Sequence, residues 1–138
     1  SHVLGHSLLT ARRLTGAGVP LVTVYAAAGD LNGSAGAHFD THADGYNRLK
    51  KQMLPPLDQG LSALLDDLHE SGRIDDTLVV LLTEFGRTPK VNGAGGRDHY
   101  TKVYTVGLAG AGVSEGLLYG TSDKSGAFPD SAAATPAG

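Results

Sequence analysis

The sequence predicts an α/β fold with a mostly parallel sheet flanked by helices. Two apolar runs, residues 19–25 and 77–83, have the length and β-branched content of buried strands. Leucines at helical spacing fill much of the stretch between them. Because a strand, a helix and a strand in this order form a right-handed crossover, the order favours parallel pairing. The strands are few and the chain begins in a predicted helix, so we expect part of a longer domain.

The helices are predicted from leucine spacing and from the residues that end them. A first helix is expected over residues 3–14, with Gly16 after it. Asp44 is expected to cap a second helix, which should pause near Pro56 because a residue before proline disfavours helical backbone. A further helix should start with Pro56 in its first turn and end at Gly72.

The second half of the chain adds two more predicted strands. Alternating valine, tyrosine and threonine predict a strand over residues 103–108, and residues 117–119 predict a short edge strand. Small polar residues fill the end of the chain. We therefore expect a single α/β domain over residues 1–138, with a loosely ordered tail at residues 122–138.

Composition removes several classes of function. A net charge of −3 gives no electrostatic basis for binding nucleic acid. No apolar stretch approaches the roughly 20 residues of a membrane helix, so no membrane insertion is expected. The chain contains no cysteine, which excludes disulfides, thiolate catalysis and cysteine-ligated metals. A bound metal must therefore be held by oxygen and imidazole ligands.

Carboxylates and imidazoles recur in three short loops and predict a metal site. Glu84 directly follows an apolar strand, and ligands of open α/β sheets collect at the carboxyl ends of strands. Asp98 and His99 are adjacent in the next loop, where one can bind a metal while the other orients it or moves a proton. Asp40 and His42 are two residues apart, so an extended backbone points both the same way. Zinc or manganese is favoured by the histidines, and magnesium or calcium is possible with the oxygens.

Structural alternatives exist for these residues. Asp40 can cap the following helix while His42 lies exposed beside it. Asp98 can be a turn residue next to a surface His99. The glycine-rich segment 92–96 is not a phosphate-binding P-loop, because it lacks the Gly-Lys-Ser/Thr ending and does not open a helix.

Two arginines are the predicted oxyanion-binding residues. The planar guanidinium groups of Arg87 and Arg97 suit phosphate or sulfate. The alternative is an internal ion pair for each, Arg87 with Glu84 and Arg97 with Asp98. A carboxylate buried at Glu84 without such a partner costs several kcal/mol, roughly.

These motifs resemble the DUF1501 family, uncharacterised bacterial proteins related to the alkaline phosphatase and sulfatase superfamily. The most specific are Glu-Phe-Gly-Arg-Thr-Pro at residues 84–89 and Gly-Arg-Asp-His at residues 96–99. Further matching segments are residues 8–14, 39–42, 54–58, 75–80 and 106–110.

The resemblance implies an alkaline-phosphatase-like fold, of which this chain is the C-terminal part. It implies a metal-binding portion of a hydrolase acting on phosphate or sulfate esters. Asp40 and His42 fall at the superfamily's first ligand set, and Glu84 falls where an Asp-His pair is usual. Asp98 and His99 fall where the last histidine comes. The nucleophile lies in a region outside this chain, so the chain alone is expected to be inactive.

The resemblance also carries expectations about partners and location. A small anionic ester is the expected substrate, and the rest of the parent polypeptide is the expected partner. Family members often carry a twin-arginine signal, which implies export to the periplasm or the cell exterior. The alternative function is a non-catalytic exported binding or scaffold protein that keeps the fold and a remnant of the site.

Overall fold

The computed structural model describes residues 2–26 and 38–131. Within these ranges the chain forms helices and three separate pairs of short antiparallel strands. The helical elements are α1 (Val3–Gly16), α2 (Gly45–Arg48), a π-helical segment (Leu49–Met53), α3 (Leu54–Glu70) and a 3-10 turn (Ile74–Asp76). The strands are β1 (Val79–Leu81), β2 (Gly86–Arg87), β3 (His99–Tyr100), β4 (Gly107–Ala109), β5 (Thr121–Ser122) and β6 (Pro129–Ser131).

Helices α1 and α3 pack against each other and provide most of the core. Leu4 of α1 and Leu68 of α3 are almost completely buried, and the contact stabilises the pair through removal of apolar surface from water. Arg12 Nε and Asp67 Oδ2 form an ion pair of 2.6 Å across the same two helices. The predicted first helix is confirmed and extends two residues further, to Gly16. Among the described residues, no helix combines the length and the apolar character needed to cross a membrane.

The helical stretch around the two prolines is continuous but changes its winding. A π-helical segment covers Leu49–Met53, and Pro55 and Pro56 then occupy the first turn of α3. A proline ring clashes with the carbonyl four residues earlier, and the wider π turn lies at those positions. Asp44 occupies the N-cap position of α2 as predicted, but with left-handed backbone and without a side-chain capping bond.

The predicted mostly parallel, alkaline-phosphatase-like sheet is wrong. Strand β1 pairs antiparallel with β4, with Val79 opposite Ala109, and the other two strand pairs are also antiparallel. Residues 19–26 form no strand, so the expected crossover between parallel neighbours does not arise. Residues 117–119 also form no strand, and the β5–β6 pair follows them instead. The apolar runs indicate strand propensity but do not specify which strands pair.

The apolar run ahead of Glu84 is also more exposed than its composition predicts. Leu78 is 50% exposed and Leu82 is 62% exposed. Among the described residues β1 pairs with β4 alone, so it lacks the second neighbouring strand that it would have inside a larger sheet. The prediction of a buried strand at this position is therefore wrong for the described part of the chain.

The segment before α2 and the glycine-rich loop lie against each other. Three backbone hydrogen bonds join them: Asp44 N to Ala94 O (3.0 Å), Gly45 N to Gly95 O (2.9 Å) and Arg97 N to Thr41 O (3.1 Å). Thr41 is buried at this contact. A Cβ on Gly96 would overlap the backbone of Thr41 and His42, so glycine is needed for the close approach. We call this the loop contact.

Gly96→Ala is expected to destabilise the protein by about 1–3 kcal/mol, because the added methyl group forces the two backbones apart. Thermal unfolding followed by circular dichroism measures the loss. Gly93→Ala is the matched control in the same loop, since a Cβ there meets no atom within 4 Å. Equal melting temperatures for the two variants would contradict the proposed packing.

The turn between β5 and β6 is expected to loosen in acid. Asp123 Oδ1 accepts hydrogen bonds from Ala127 N (2.9 Å), Ser125 Oγ (2.9 Å) and Ser125 N (3.1 Å), and these bonds, the one from Ala127 most of all, lower the pKa of Asp123. A carboxylate with a lowered folded-state pKa stabilises the fold above its unfolded pKa of about 3.9 and loses that effect as the pH falls further. Amide chemical shifts of Ser125 and Ala127 should therefore move below about pH 4. Asp123→Asn does not titrate, and the same shifts in that variant would refute the assignment.

Candidate metal centre

Three side chains bring one ligand atom each to a common point. Asp40 Oδ1 lies 2.8 Å from His99 Nε2 and 3.0 Å from His42 Nε2, and the two histidine nitrogens are 3.1 Å apart. All three side chains are between 45% and 49% exposed. We call Asp40, His42 and His99 the ligand triad. It is the group among the described residues whose donor atoms lie close enough together to hold a metal ion.

The triad has the dimensions of a coordination site. Ligand atoms about 2.0–2.1 Å from a metal are roughly 2.9 Å apart at right angles and roughly 3.3 Å apart at the tetrahedral angle. The observed distances of 2.8–3.1 Å match three ligands on one face of an ion. An ion held by these three residues would have further coordination positions for a substrate or water, as catalytic sites do. One carboxylate and two imidazoles are a donor set that binds divalent transition metals.

Local structure explains how the triad forms. Asp40 and His42 lie two residues apart before α2, and their side chains reach the same point. In the β2–β3 pair, Arg87 lies directly opposite His99, and opposed residues project on the same face. Both accordingly reach Asp40 Oδ1, Arg87 Nη2 at 2.7 Å and His99 Nε2 at 2.8 Å. The Phe85 ring, 4.2 Å from the His99 ring between centroids, packs against that imidazole.

Asp98 orients His42 from behind. Its Oδ1 lies 2.9 Å from His42 Nδ1. The pKa of Asp98 is lowered, first by this hydrogen bond and then by one from Asn92, so the carboxylate is ionised and acts only as an acceptor. His42 Nδ1 therefore carries a hydrogen, and in the tautomer without a second hydrogen the lone pair lies on Nε2, the nitrogen close to Asp40 and His99. Such carboxylate–histidine pairs fix the tautomer of metal-binding histidines.

Asp40 supplies the negative charge of the triad. The hydrogen bond from His99, followed by that from Arg87, holds the pKa of the Asp40 carboxyl well below its usual range. Asp40 is consequently anionic across the physiological pH range. A cation at the triad would meet this negative charge together with two imidazole nitrogens, and His99 Nε2 would have to give up the hydrogen that it donates to Asp40.

Glu84 lies outside this arrangement. It is exposed, so the predicted cost of burying its charge does not apply. Among the described residues, its side chain has no hydrogen bond or ion pair, and Arg87 pairs with Asp40 instead. The sequence-based alternative of a Glu84–Arg87 ion pair is therefore not formed.

Arg97 is held by backbone carbonyls. Its Nη1 donates to Thr88 O at 2.9 Å and to Pro89 O at 2.7 Å, and the alternative pairing with Asp98 is not formed in the described structure. These contacts join the two ends of the loop between β2 and β3. They indicate a structural function for Arg97, and its expected role as an oxyanion ligand stays a prediction.

Sequence reasoning missed Asn92 and Phe85. Asn92 donates to Asp98 Oδ1 at 3.1 Å, and Phe85 packs on His99. An asparagine before glycines predicts a turn, so the sequence does not indicate that Asn92 also binds Asp98. In the sequence, Phe85 is one apolar residue of the motif at residues 84–89, and nothing there indicates a contact with His99.

Taken together, the described elements and the triad define a protein of helices and small antiparallel strand pairs with a candidate metal site. Its sequence matches the model of a family described as "Protein of unknown function (DUF1501)" over residues 2–136. The chain therefore belongs to the DUF1501 family, as its motifs predicted. No curated protein matches the chain significantly. No solved structure does so either.

His99→Ala is expected to lower Zn²⁺ affinity by more than about 100-fold, beyond the 10- to 100-fold typical for residues behind the ligands. Isothermal titration calorimetry with the purified protein measures the change. Glu84→Ala removes a nearby carboxylate outside the triad and is expected to change affinity little. A larger loss for Glu84→Ala than for His99→Ala would show that the ligand set is different.

Proposed function

We propose that the protein is the metal-binding portion of a hydrolase that acts on phosphate or sulfate esters. The observation that carries this proposal is the ligand triad, whose three donor atoms lie within 3.1 Å of one another. The Asp98–His42 pair supports it, because a fixed histidine tautomer is what a metal ligand requires and a solvated surface histidine does not.

The donor set favours zinc or manganese. Imidazole ligands suit zinc, and a carboxylate also suits manganese, whereas magnesium and calcium prefer oxygen donors throughout. Two histidines and one carboxylate on one face also suit iron(II), so iron belongs among the metals compared in any test. When bound, a divalent metal supplies a Lewis acid that polarises an ester oxygen and activates a nucleophile.

Arg87 is the residue best placed to attract an anionic ester to the triad. Its Nη2 lies 2.7 Å from Asp40 Oδ1, so its positive charge is directly beside the proposed metal ligands. Nη1 donates to the carbonyl of Arg97 at 3.2 Å, which holds the guanidinium group in place. A planar, fixed guanidinium suits the oxygens of phosphate and sulfate. Arg87 would also keep Asp40 oriented when the substrate is absent.

The remaining parts of the proposal rest on the family resemblance. They are the small anionic ester as substrate, a nucleophile outside this chain, the rest of the parent polypeptide as partner, and export to the periplasm or cell exterior. The triad and its supporting residues do not depend on them.

A second candidate is a non-catalytic metal-binding or scaffold protein. The specific observation in its favour is that the triad side chains are almost half exposed. Hydrolytic sites usually exclude bulk water, which strengthens the electrostatic interactions inside them. A site this open can hold a metal without providing that environment.

The two candidates differ in turnover at equal metal content. The full-length polypeptide that carries these 138 residues is reconstituted with Zn²⁺, Mn²⁺ or Fe²⁺, and bound metal is measured by mass spectrometry. An aryl phosphate and an aryl sulfate then serve as substrates. We expect metal-dependent release of the aryl alcohol that His99→Ala reduces by at least about 100-fold, because the loss of one ligand removes the Lewis acid. Stoichiometric metal without turnover would support a non-catalytic metal-binding protein, and absence of both bound metal and turnover would refute the hydrolase and favour the scaffold protein.

A further inference from the structure

Asn92 joins the glycine-rich loop to the metal centre. Its Nδ2 donates to the carbonyl of His42 at 2.9 Å and to Asp98 Oδ1 at 3.1 Å. Its Oδ1 accepts from the amides of Ala94 and Gly96, each at 3.0 Å. An amide side chain offers two donor hydrogens and two acceptor positions. Every hydrogen-bonding position of the Asn92 side chain is thus used, and rotation of the amide would break all four bonds.

The contact with Asp98 is specific in its geometry. Asn92 Nδ2 and His42 Nδ1 both donate to the same oxygen, Asp98 Oδ1. Asn92 also holds the backbone carbonyl of His42. The position of the carboxylate is consequently fixed relative to both the backbone and the ring of the histidine that it orients.

We propose that Asn92 is a positioning residue of the metal centre, an inference that rests on the proposed metal-binding function. By holding Asp98 against His42 Nδ1–H, Asn92 keeps the Nε2 lone pair of His42 directed at Asp40 and His99. It acts through Asp98 and contributes no metal ligand of its own. The glycine-rich segment 92–96 thereby serves the site through one side chain, rather than through phosphate binding by its backbone.

Asn92→Asp tests this inference with little change in size. The substitution keeps an oxygen for Ala94 and Gly96 but replaces the donor nitrogen by an oxygen that faces Asp98 and the His42 carbonyl. We expect a 10- to 100-fold loss of Zn²⁺ affinity by calorimetry, roughly the range for residues behind metal ligands. The loss is expected although the added negative charge by itself attracts a cation. An affinity equal to that of the wild type would overturn the inference.

Asn47→Asp is the matched control. Asn47 Nδ2 donates to Asp44 Oδ1 at 2.7 Å, so the same substitution there also places a carboxylate against an aspartate. Within the described residues, the side chains of Asn47 and Asp44 form no hydrogen bond or ion pair with the triad, and Zn²⁺ affinity should stay at the wild-type value. An equal loss in both variants would mean that general charge or stability effects explain the result, which overturns the inference.

The tautomer of His42 gives a readout that a merely structural role would not change. Long-range ¹H–¹⁵N spectra of the metal-free protein should show His42 with its hydrogen on Nδ1 in the wild type and a mixture of tautomers in Asn92→Asp. Because this measurement needs no metal, a failure of the proposed metal binding can be told apart from a failure of the positioning role. A wild type that binds no metal but shows this tautomer change supports the positioning role, whereas an unchanged tautomer overturns it.

A double-variant cycle covers the case in which Asn92→Asp does not fold. Asn92→Ser then replaces it, and Asp98→Asn interrupts the same path at its other end. If Asn92 acts through Asp98, the double variant should lose no more Zn²⁺ affinity than Asp98→Asn alone. Losses that add in full would show that Asn92 acts by another route and would overturn the inference.

Discussion

The close approach of Gly96 to the backbone of residues 41 and 42 is the constraint on which the candidate site depends. Asp40 and His99 are 59 residues apart in sequence, and neither belongs to a long element that could carry it across the molecule. The loop contact supplies this connection with backbone hydrogen bonds on both sides of Gly96. Any side chain at that position would separate the two loops and with them the donor atoms of the triad.

Charge is arranged around the triad in a way that suits a cation. Asp40 and Asp98 are both held ionised by their hydrogen bonds, and Arg87 balances one of them through its contact with Asp40. The charges of these two carboxylates and of the Arg87 guanidinium together leave a net negative charge. The two carboxylates nevertheless have different roles, because Asp40 provides a donor atom of the triad, whereas Asp98 is hydrogen-bonded to His42 Nδ1.

The sequence predicted local features better than it predicted which strands and side chains lie beside each other. Leucine spacing predicted α1, and the two-residue spacing of Asp40 and His42 placed both side chains at one point. The parallel sheet failed because an apolar run has no information about which strand lies beside it. Glu84 was predicted to lie at the end of a buried strand. Because β1 is exposed, burial gives no reason to expect a metal or an arginine beside Glu84. The role of Asn92 could not be found, since only its bond to the carbonyl of His42 joins distant segments, and these meet only in the folded chain.

The site is ordered without the sheet that was expected to hold it. Arg87 donates to Asp40, to Phe39 O and to Arg97 O, and Arg97 donates to two further carbonyls. Asn92 adds four bonds around the glycine-rich loop. Hydrogen bonds from two guanidinium groups and one amide thus hold this region together, where the predicted parallel sheet would have done so through hydrogen bonds between strands. Because these bonds form without a ligand, the loops that carry the triad are already ordered, although a metal would have to replace the hydrogen bond between His99 Nε2 and Asp40 Oδ1.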